Sequence, residues 1–280
     1  MVVETGEGIA VRTVDIGRPV AVIPSVAIHQ NRSVNDNLSL NAATDMIPLL
    51  SVGEDGSLVS LLADKLGVEE GKILSHDLFL YNAECGVVLG ADNGLILSPR
   101  LDNAECTFAA LEGFLSAENS GKSVAVLAVF DNEEVGSATK AGADSTFLSD
   151  TLRKIAATDE KYYKMLDCSL MLSADNAHAK HPNHPELSDR LGSPTLGSGV
   201  ALKYNANQRY TTDSVSAALV KKLAERAGAR LCEYYCRADM PCGSTLGSIS
   251  TTHVGIMSAD IGLPQLAMHS AMETAAVSDL

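Results

Sequence analysis

The spacing of apolar residues changes character near residue 90. Ahead of that point the chain carries β-rich apolar runs, the clearest at 20–28, which Pro24 interrupts. A polar stretch holding Asn31, Asn35, Asn37 and Asn41 reads as a loop. Residues 56–66 place Leu58, Leu61, Leu62 and Leu66 along one side of a helix, and Gly67 is suited to end it. A run at 73–81 alternates imperfectly and reads as a further strand. Residues 1–92 are therefore expected to form a small α+β module.

From residue 93 strands and helices alternate. An apolar strand is predicted at 94–98, then a helix over 104–117 with Phe108, Leu111 and Leu115 on one face. Residues 124–130 are apolar throughout, as in a strand buried on both faces, and 169–173 form another strand. Val215, Leu219 and Leu223 mark a helix ending near Gly228. Residues 231–236 read as a strand, with a helix as the alternative, and 258–268 hold the last strand-like stretch, just before His269. This order predicts an α/β layer structure over 93–280.

Open α/β sheets bind ligands beyond the carboxyl ends of their strands. Just after the four apolar runs stand Asp102, then Glu133 with Glu134, then Asp175 with His178, and finally His269. Each has an ordinary reading by itself. Asp102 precedes a helix and suits an N-cap, Glu133 and Glu134 suit a solvated acidic pair, and His269 suits a buried, hydrogen-bonded histidine. Together they change the picture, because carboxylates crowded at one edge repel unless a cation neutralises them. Asp, Glu and His ligands point to a hard or borderline metal, and a bridging carboxylate allows two metals about 3.5–4 Å apart, an arrangement suited to hydrolysis. In the adjacent Glu pair one carboxylate can ligate while the other moves protons. His178, His181 and His184 form a second cluster, but its prolines favour a loop over a structural zinc site, leaving His178 as a neighbour of Asp175.

Composition narrows the class. The 280 residues are 46% hydrophobic and 20% charged, enough for one large domain or two small ones. A net charge of -14 argues against nucleic acid and anionic membranes as partners. No apolar run approaches the roughly 20 residues needed to span a bilayer, and the first residues lack a secretory layout, so a cytoplasmic location is expected. The six cysteines form no C-x-x-C pair and read as free thiols, with Cys232, Cys236 and Cys242 wrongly spaced for a zinc motif.

The motifs resemble the aspartyl aminopeptidase family of metallopeptidases over nearly the whole chain. The resemblance rests on GRP at 17–19, AIHQNR at 27–32, PRLDN at 99–103, DNEEVGS at 131–137, SADNAHA at 173–179 and HPN at 181–183. It continues with NQRY at 207–210, PCGST at 241–245 and PQLAMHS at 264–270. It implies an α/β fold, a central mixed sheet with helices on both faces, joined to a smaller β-rich α+β insert domain that mediates dimerisation. It also implies two divalent metals, zinc by expectation: Asp102 bridging them, Asp175 on the first, Glu134 and His269 on the second, and Glu133 as general base. His178 and Lys203 would line the substrate pocket, where a lysine can pair with an acidic N-terminal side chain. Without the resemblance, Lys203 reads as a surface lysine beside a strand. His29 would reach the neighbouring subunit's site. The implied activity is removal of N-terminal residues, preferably Asp or Glu, from peptides, within dimers that build assemblies of twelve subunits.

One family feature has no counterpart. The His-x-Asp motif that completes the family's first metal site does not occur, and the first histidine is His29. The chain therefore reads as an N-terminally truncated member whose first metal site is incomplete. The competing reading is a non-catalytic assembly module that keeps the family's interfaces. A weaker third reading is a preference for neutral or hydrophobic N-terminal residues. Strands missing from a sheet expose its edges, so the chain alone is expected to be poorly soluble or to assemble abnormally.

Overall fold

The computed structural model describes residues 1–53, 56–118 and 121–280, and it divides into two compact units, Met1–Ala83 and Glu84–Leu280. In the first unit, β1 (Val2–Thr5) lies between antiparallel neighbours β2 (Gly8–Val11) and β3 (Ile73–Ser75), and Val3 is fully buried. Helix α1 (Leu58–Leu66) starts where the Ser57 hydroxyl accepts the Ser60 N–H. It ends at Gly67, whose φ of 65° lets its N–H return to the Ala63 and Asp64 carbonyls. The helix buries Leu62 and Ala63.

Two apolar runs of this unit form less strand than their composition predicts. Residues 20–28 make a single bridge, Val22 to Leu49, and Val22, Val26 and Ile28 stay exposed. Pro24 removes a ladder donor in the middle of that run. Of 73–81 only Ile73–Ser75 pairs, and Leu78, Phe79 and Leu80 are exposed.

The second unit is mixed α/β. In order it holds β4 (Val87–Leu89), β5 (Leu95–Ser98), α2 (Leu101–Ser116), α3 (Phe147–Ala156), α4 (Asp159–Asp167), β6 (Leu170–Ala174) and β7 (Ala177–His178). It continues with β8 (Val200–Tyr204), α5 (Ser214–Ala227), β9 (Leu231–Tyr235), α6 (Leu246–Ser250), β10 (Met257–Gly262), β11 (Pro264–Leu266) and β12 (Glu273–Ala276). As expected the sheet structure is mixed; its strands fall in two sheets, ordered β6-β10-β8-β9 and β4-β5-β12-β11-β7. The stretch 258–268 is two strands rather than one. β10 pairs parallel with β6, pairing is interrupted at Leu263, and β11 pairs parallel with β7 in the same register. Backbone bonds from Asp175 to Ile261 and from Ala177 to Leu263 carry the ladder from one sheet to the next.

Two helices bury a different face from the one their large apolar residues suggest. Helix α5 starts in a capping box at Asp213 and Ser216 and packs Ala217 and Val220 on Leu202 and Ala259. Val215, Leu219 and Leu223 face outward, each more than 40% exposed. Helix α2 buries Leu101, Glu105 and Cys106 while Phe108, Leu111 and Leu115 are exposed. In α5 the small residues Ser216 and Ala217 let the helix approach the sheet closely, whereas α2 buries Leu101 and the acid Glu105.

The run 124–130 is not a strand. Among the described residues no backbone hydrogen bond reaches it, and Val124, Val126 and Val129 are exposed. β6, the nearest strand in sequence after it, ends its own sheet with an open outer edge. The run and β6 line opposite parts of one cavity of 1240 Å³. A strand needs a ladder partner for its N–H and C=O groups, and apolar composition alone does not supply one. No helix among the described residues is long and apolar enough to cross a membrane.

The end of β10 tolerates no side chain at Gly262, where a Cβ would lie 1.9 Å from the Asp175 carbonyl oxygen. Gly262→Ala is expected to destabilise the second unit by about 1–3 kcal/mol, as overpacking does. The check is the urea midpoint of unfolding, which should fall relative to the same substitution at exposed Gly255, where a Cβ meets nothing.

Candidate metal centre

Each acidic residue is delivered by a distinct local device. Asp102 follows Arg100, which takes a left-handed φ of 59°, and sits at a kink in the first turn of α2 with φ -79° and ψ 113°. It is not the cap that its position suggests, because its carboxylate meets a side chain: the Oδ2 atom lies 2.9 Å from His269 Nε2. Glu133 and Glu134 stand in a loop tied together by bonds from the Gly136 N–H to the Glu133 carbonyl and from Ser137 to Asn132. Asp175 falls in the break between β6 and β7. His269 lies beyond β11 in a left-handed conformation, φ 65°.

The second unit brings three of these residues together. Asp102, Glu134 and His269 each offer a ligand atom, and the three atoms lie within 4.8 Å of one another. His269 Nε2 is 2.9 Å from Asp102 Oδ2 and 2.9 Å from Glu134 Oε1. Asp102 is nearly enclosed, with 7% of its side chain exposed, whereas Glu134 and His269 remain open at 64% and 59%. Asp175 stands outside the trio, its Oδ2 atom 3.5 Å from the Lys203 ammonium.

The electrostatics show what the cluster lacks. Burial, then the charges of Asp175 and Glu134, push the Asp102 carboxyl up to about 7 against the pull of His269. Burial, Asp175 and Glu134 also raise Glu133. Burial pulls the His269 imidazole down, but the Glu134 and Asp102 carboxylates outweigh it and the net shift is upward. His178 is held low by burial, the Lys203 cation and His269. A cation among Asp102, Glu134 and His269 would relieve the carboxylate repulsion, and two carboxylates with an imidazole are a donor set that zinc accepts. The residues present fit the metal.

The remaining candidates fall in different places. Lys203 is buried in β8 instead of lying at the surface, its side chain 3% exposed. Its ammonium donates to the Asn176 carbonyl at 2.7 Å and lies over the Tyr210 ring. His178 is in β7, close enough to Lys203 and His269 to feel both charges. His181 and His184 are ring neighbours in a turn, with centroids 5.2 Å apart. His29 is exposed in a turn of the first unit. Cys232, Cys236 and Cys242 are free thiols.

Two buried acids were not singled out by the sequence patterns. Glu105, one turn after Asp102, is pushed up to about 7 by burial and accepts a bond from Asn176 at 2.8 Å. Glu273, 2% exposed at the start of β12, accepts the backbone N–H of His269 at 2.6 Å and that of Asp102 at 2.9 Å. Its only sequence signal is its place four residues after His269, which by itself reads as a surface acid.

A family model described as aminopeptidase I zinc metalloprotease (M18) matches residues 1–280. A probable M18 family aminopeptidase 2 of Clostridium novyi is 42% identical over 277 residues, covering 96% of this chain and 64% of its own length. The chain thus spans less than two thirds of that relative. Among solved structures, a chain of the Ape4 and Nbr1 complex superposes with a TM-score of 0.91 at 33% identity, over 99% of this chain and 59% of that one. A chain of the S. cerevisiae mApe1 dodecamer does so with a TM-score of 0.73 at 26% identity, over 93% and 59%. A family match along its whole length places this chain in the M18 family of aminopeptidase I zinc metalloproteases.

Proposed function

We propose that the second unit carries the catalytic residues of a metal-dependent aminopeptidase that releases N-terminal residues, preferably Asp or Glu, from peptides. The observation that carries this reading is the meeting of Asp102, Glu134 and His269 beside a carboxylate, Glu133, that burial has raised. Asp102, Glu134 and His269 would hold one zinc, and Asp102 with Asp175 would contribute to a second. Zinc held there supplies Lewis-acid polarisation of the peptide carbonyl and makes an attacking water more acidic.

This chain's own groups do the remaining work. Glu133 accepts the proton of the attacking water and hands it to the leaving amine, and its raised proton affinity suits both halves of that transfer. His178, kept neutral by its surroundings, offers a hydrogen-bonding group at the pocket wall. Lys203 is a desolvated ammonium whose one ionic partner among the described residues is Asp175, at a long 3.5 Å. Once a metal shares the Asp175 charge, that ammonium is left to attract an acidic substrate side chain. His29 is proposed to act from a neighbouring subunit, in dimers and in larger assemblies of up to twelve copies. The dodecamer of S. cerevisiae mApe1 supports self-association.

A non-catalytic assembly module is the second reading, favoured by one observation: the first metal site has only Asp102 and Asp175 among the residues named here. Glu133→Gln separates the two. Hydrolysis of Asp-initiated peptides by the metal-loaded protein should fall by at least about a hundredfold, with the sedimentation profile unchanged. An unaltered rate under the same conditions would remove Glu133 from the mechanism.

Zinc titration should reveal one firm site and one weak one, and His269→Ala should abolish the firm site. Its pH dependence has a definite sign. Asp102, at about 7 without metal, and His269, also raised, must shed protons to bind. Affinity should therefore climb from pH 5 toward pH 8, by about tenfold per unit for each proton displaced, and flatten above the Asp102 value. Two equally tight sites, or an affinity independent of pH, would contradict this ligand assignment.

A further inference from the structure

We infer that Glu273 is a positioning residue that sets the separation of Asp102 and His269, and that it does so by gripping their backbones instead of their side chains. The inference rests on the reading of those two residues as metal ligands. It adds a residue that ligates nothing and touches no substrate.

Glu273 begins β12, the central strand of its five-stranded sheet, with β5 on one side and β11 on the other. Its own backbone is therefore fixed, opposite Ser98 of β5. Its side chain is 2% exposed, and no Lys or Arg pairs with it among the described residues. A buried carboxylate without a cation needs hydrogen-bond donors. It finds two, one per oxygen: Oε1 takes the His269 N–H at 2.6 Å and Oε2 takes the Asp102 N–H at 2.9 Å.

Neither donor has another claim on it. The Asp102 N–H lies at the kink before the regular turns of α2, where Asp102 and Asn103 leave helical φ/ψ and Arg100 makes no side-chain cap bond. Glu273 thus satisfies an amide that neither a helix nor a strand ladder pairs, from 171 residues away. His269 is a non-glycine residue at φ 65°, a conformation that sterics disfavour in an L-residue. A short bond to its N–H offsets that cost and holds the turn that aims the imidazole. The two oxygens of a single carboxyl group are a rigid ruler. Through it the backbones of residues 167 apart are fixed, and their side chains meet at 2.9 Å.

Glu273→Gln keeps the shape but turns one acceptor into a donor that faces an N–H, so one ligand loses its anchor. Glu273→Asp keeps the charge but is one methylene too short to span both amides. The proteins are compared by zinc competition against a chromophoric chelator, with His269→Ala as reference and with thermal unfolding of the metal-free forms. Both Glu273 variants are expected to bind zinc 10- to 100-fold more weakly at the firm site, the range found for outer-shell partners of metal ligands, while the metal-free proteins stay folded. A folded Glu273→Gln protein with undiminished zinc affinity overturns the proposal.

A second measurement needs neither zinc nor a variant. In the metal-free wild-type chain the Asp102 and His269 amide protons should exchange with solvent more slowly than that of the exposed loop neighbour Ala267, read residue by residue by NMR. Free exchange at both amides overturns the clamp even if the Glu273 variants misfold. If His269→Ala leaves zinc binding untouched, the metal-site reading falls instead, and amide protection at Asp102 and His269 separates that failure from failure of the clamp.

Discussion

The candidate site depends on one continuous parallel pairing. β6 and β10 run parallel in one sheet and continue in the same register as β7 and β11 in the other. Asp175 and Gly262 meet where one sheet gives way to the next, with no room between them for a methyl group. The second sheet then leads to His269, in the turn beyond β11, and to Glu273, at the start of β12. The glycine is thus required for steric reasons at a position whose φ is ordinary.

What this pairing helps to gather is mostly negative charge, and the rest of the local structure manages it. Asp102 loses its solvent, Asp175 leans on Lys203, and His269 divides its ring nitrogen between two carboxylates. Lys203 neutralises from beneath, held by the Asn176 carbonyl so that its charge cannot move away. Glu105 and Glu273 add two further acids behind Asp102, one raised by burial to about 7 and the other saturated by amides. Without a cation such a cluster holds protons that its members would otherwise release. Protons and metal therefore compete for the same groups, and the arrangement favours the metal as pH rises.

The legible parts of the sequence were those in which chemistry and local pattern coincide. Asp102, Glu134 and His269 each follow a short apolar run, and that placement marks them, with Glu133, Asp175 and His178, as a converging set; their grouping on one metal is what the family resemblance implies. Strands at 94–98 and 169–173 are plain, whereas 231–236 leaves a helix open as the alternative. Three features were not legible, for separate reasons. Residues 124–130 have the composition of a central strand, but ladder pairing belongs to a neighbour and not to the run itself. The buried face of α5 uses Ser216, Ala217 and Val220, and that of α2 includes the acid Glu105, so the larger apolar residues of both helices mislead. Glu273 was invisible because its function is carried by backbone amides, which every residue possesses and which leave no pattern.

The ligands come from positions 102, 134 and 269, with Asp175 beside them, so almost the entire length of the second unit must be in place before they can meet. Loop-closure entropy for such distant residues is recovered only when the whole unit condenses. A metal that binds the gathered ligands and not the dispersed chain stabilises the folded state by its binding free energy. That linkage bears on the open edge of β6 and the unpaired run 124–130, which face one cavity. Asp102 and Glu134 flank that cavity as well, so order in its walls and order in the metal ligands are parts of the same equilibrium. Loss of metal should therefore loosen the wall that already lacks ladder bonds before it loosens β8, β9 and β10, whose ladder and buried Leu202, Ala201 and Ala259 hold without the site.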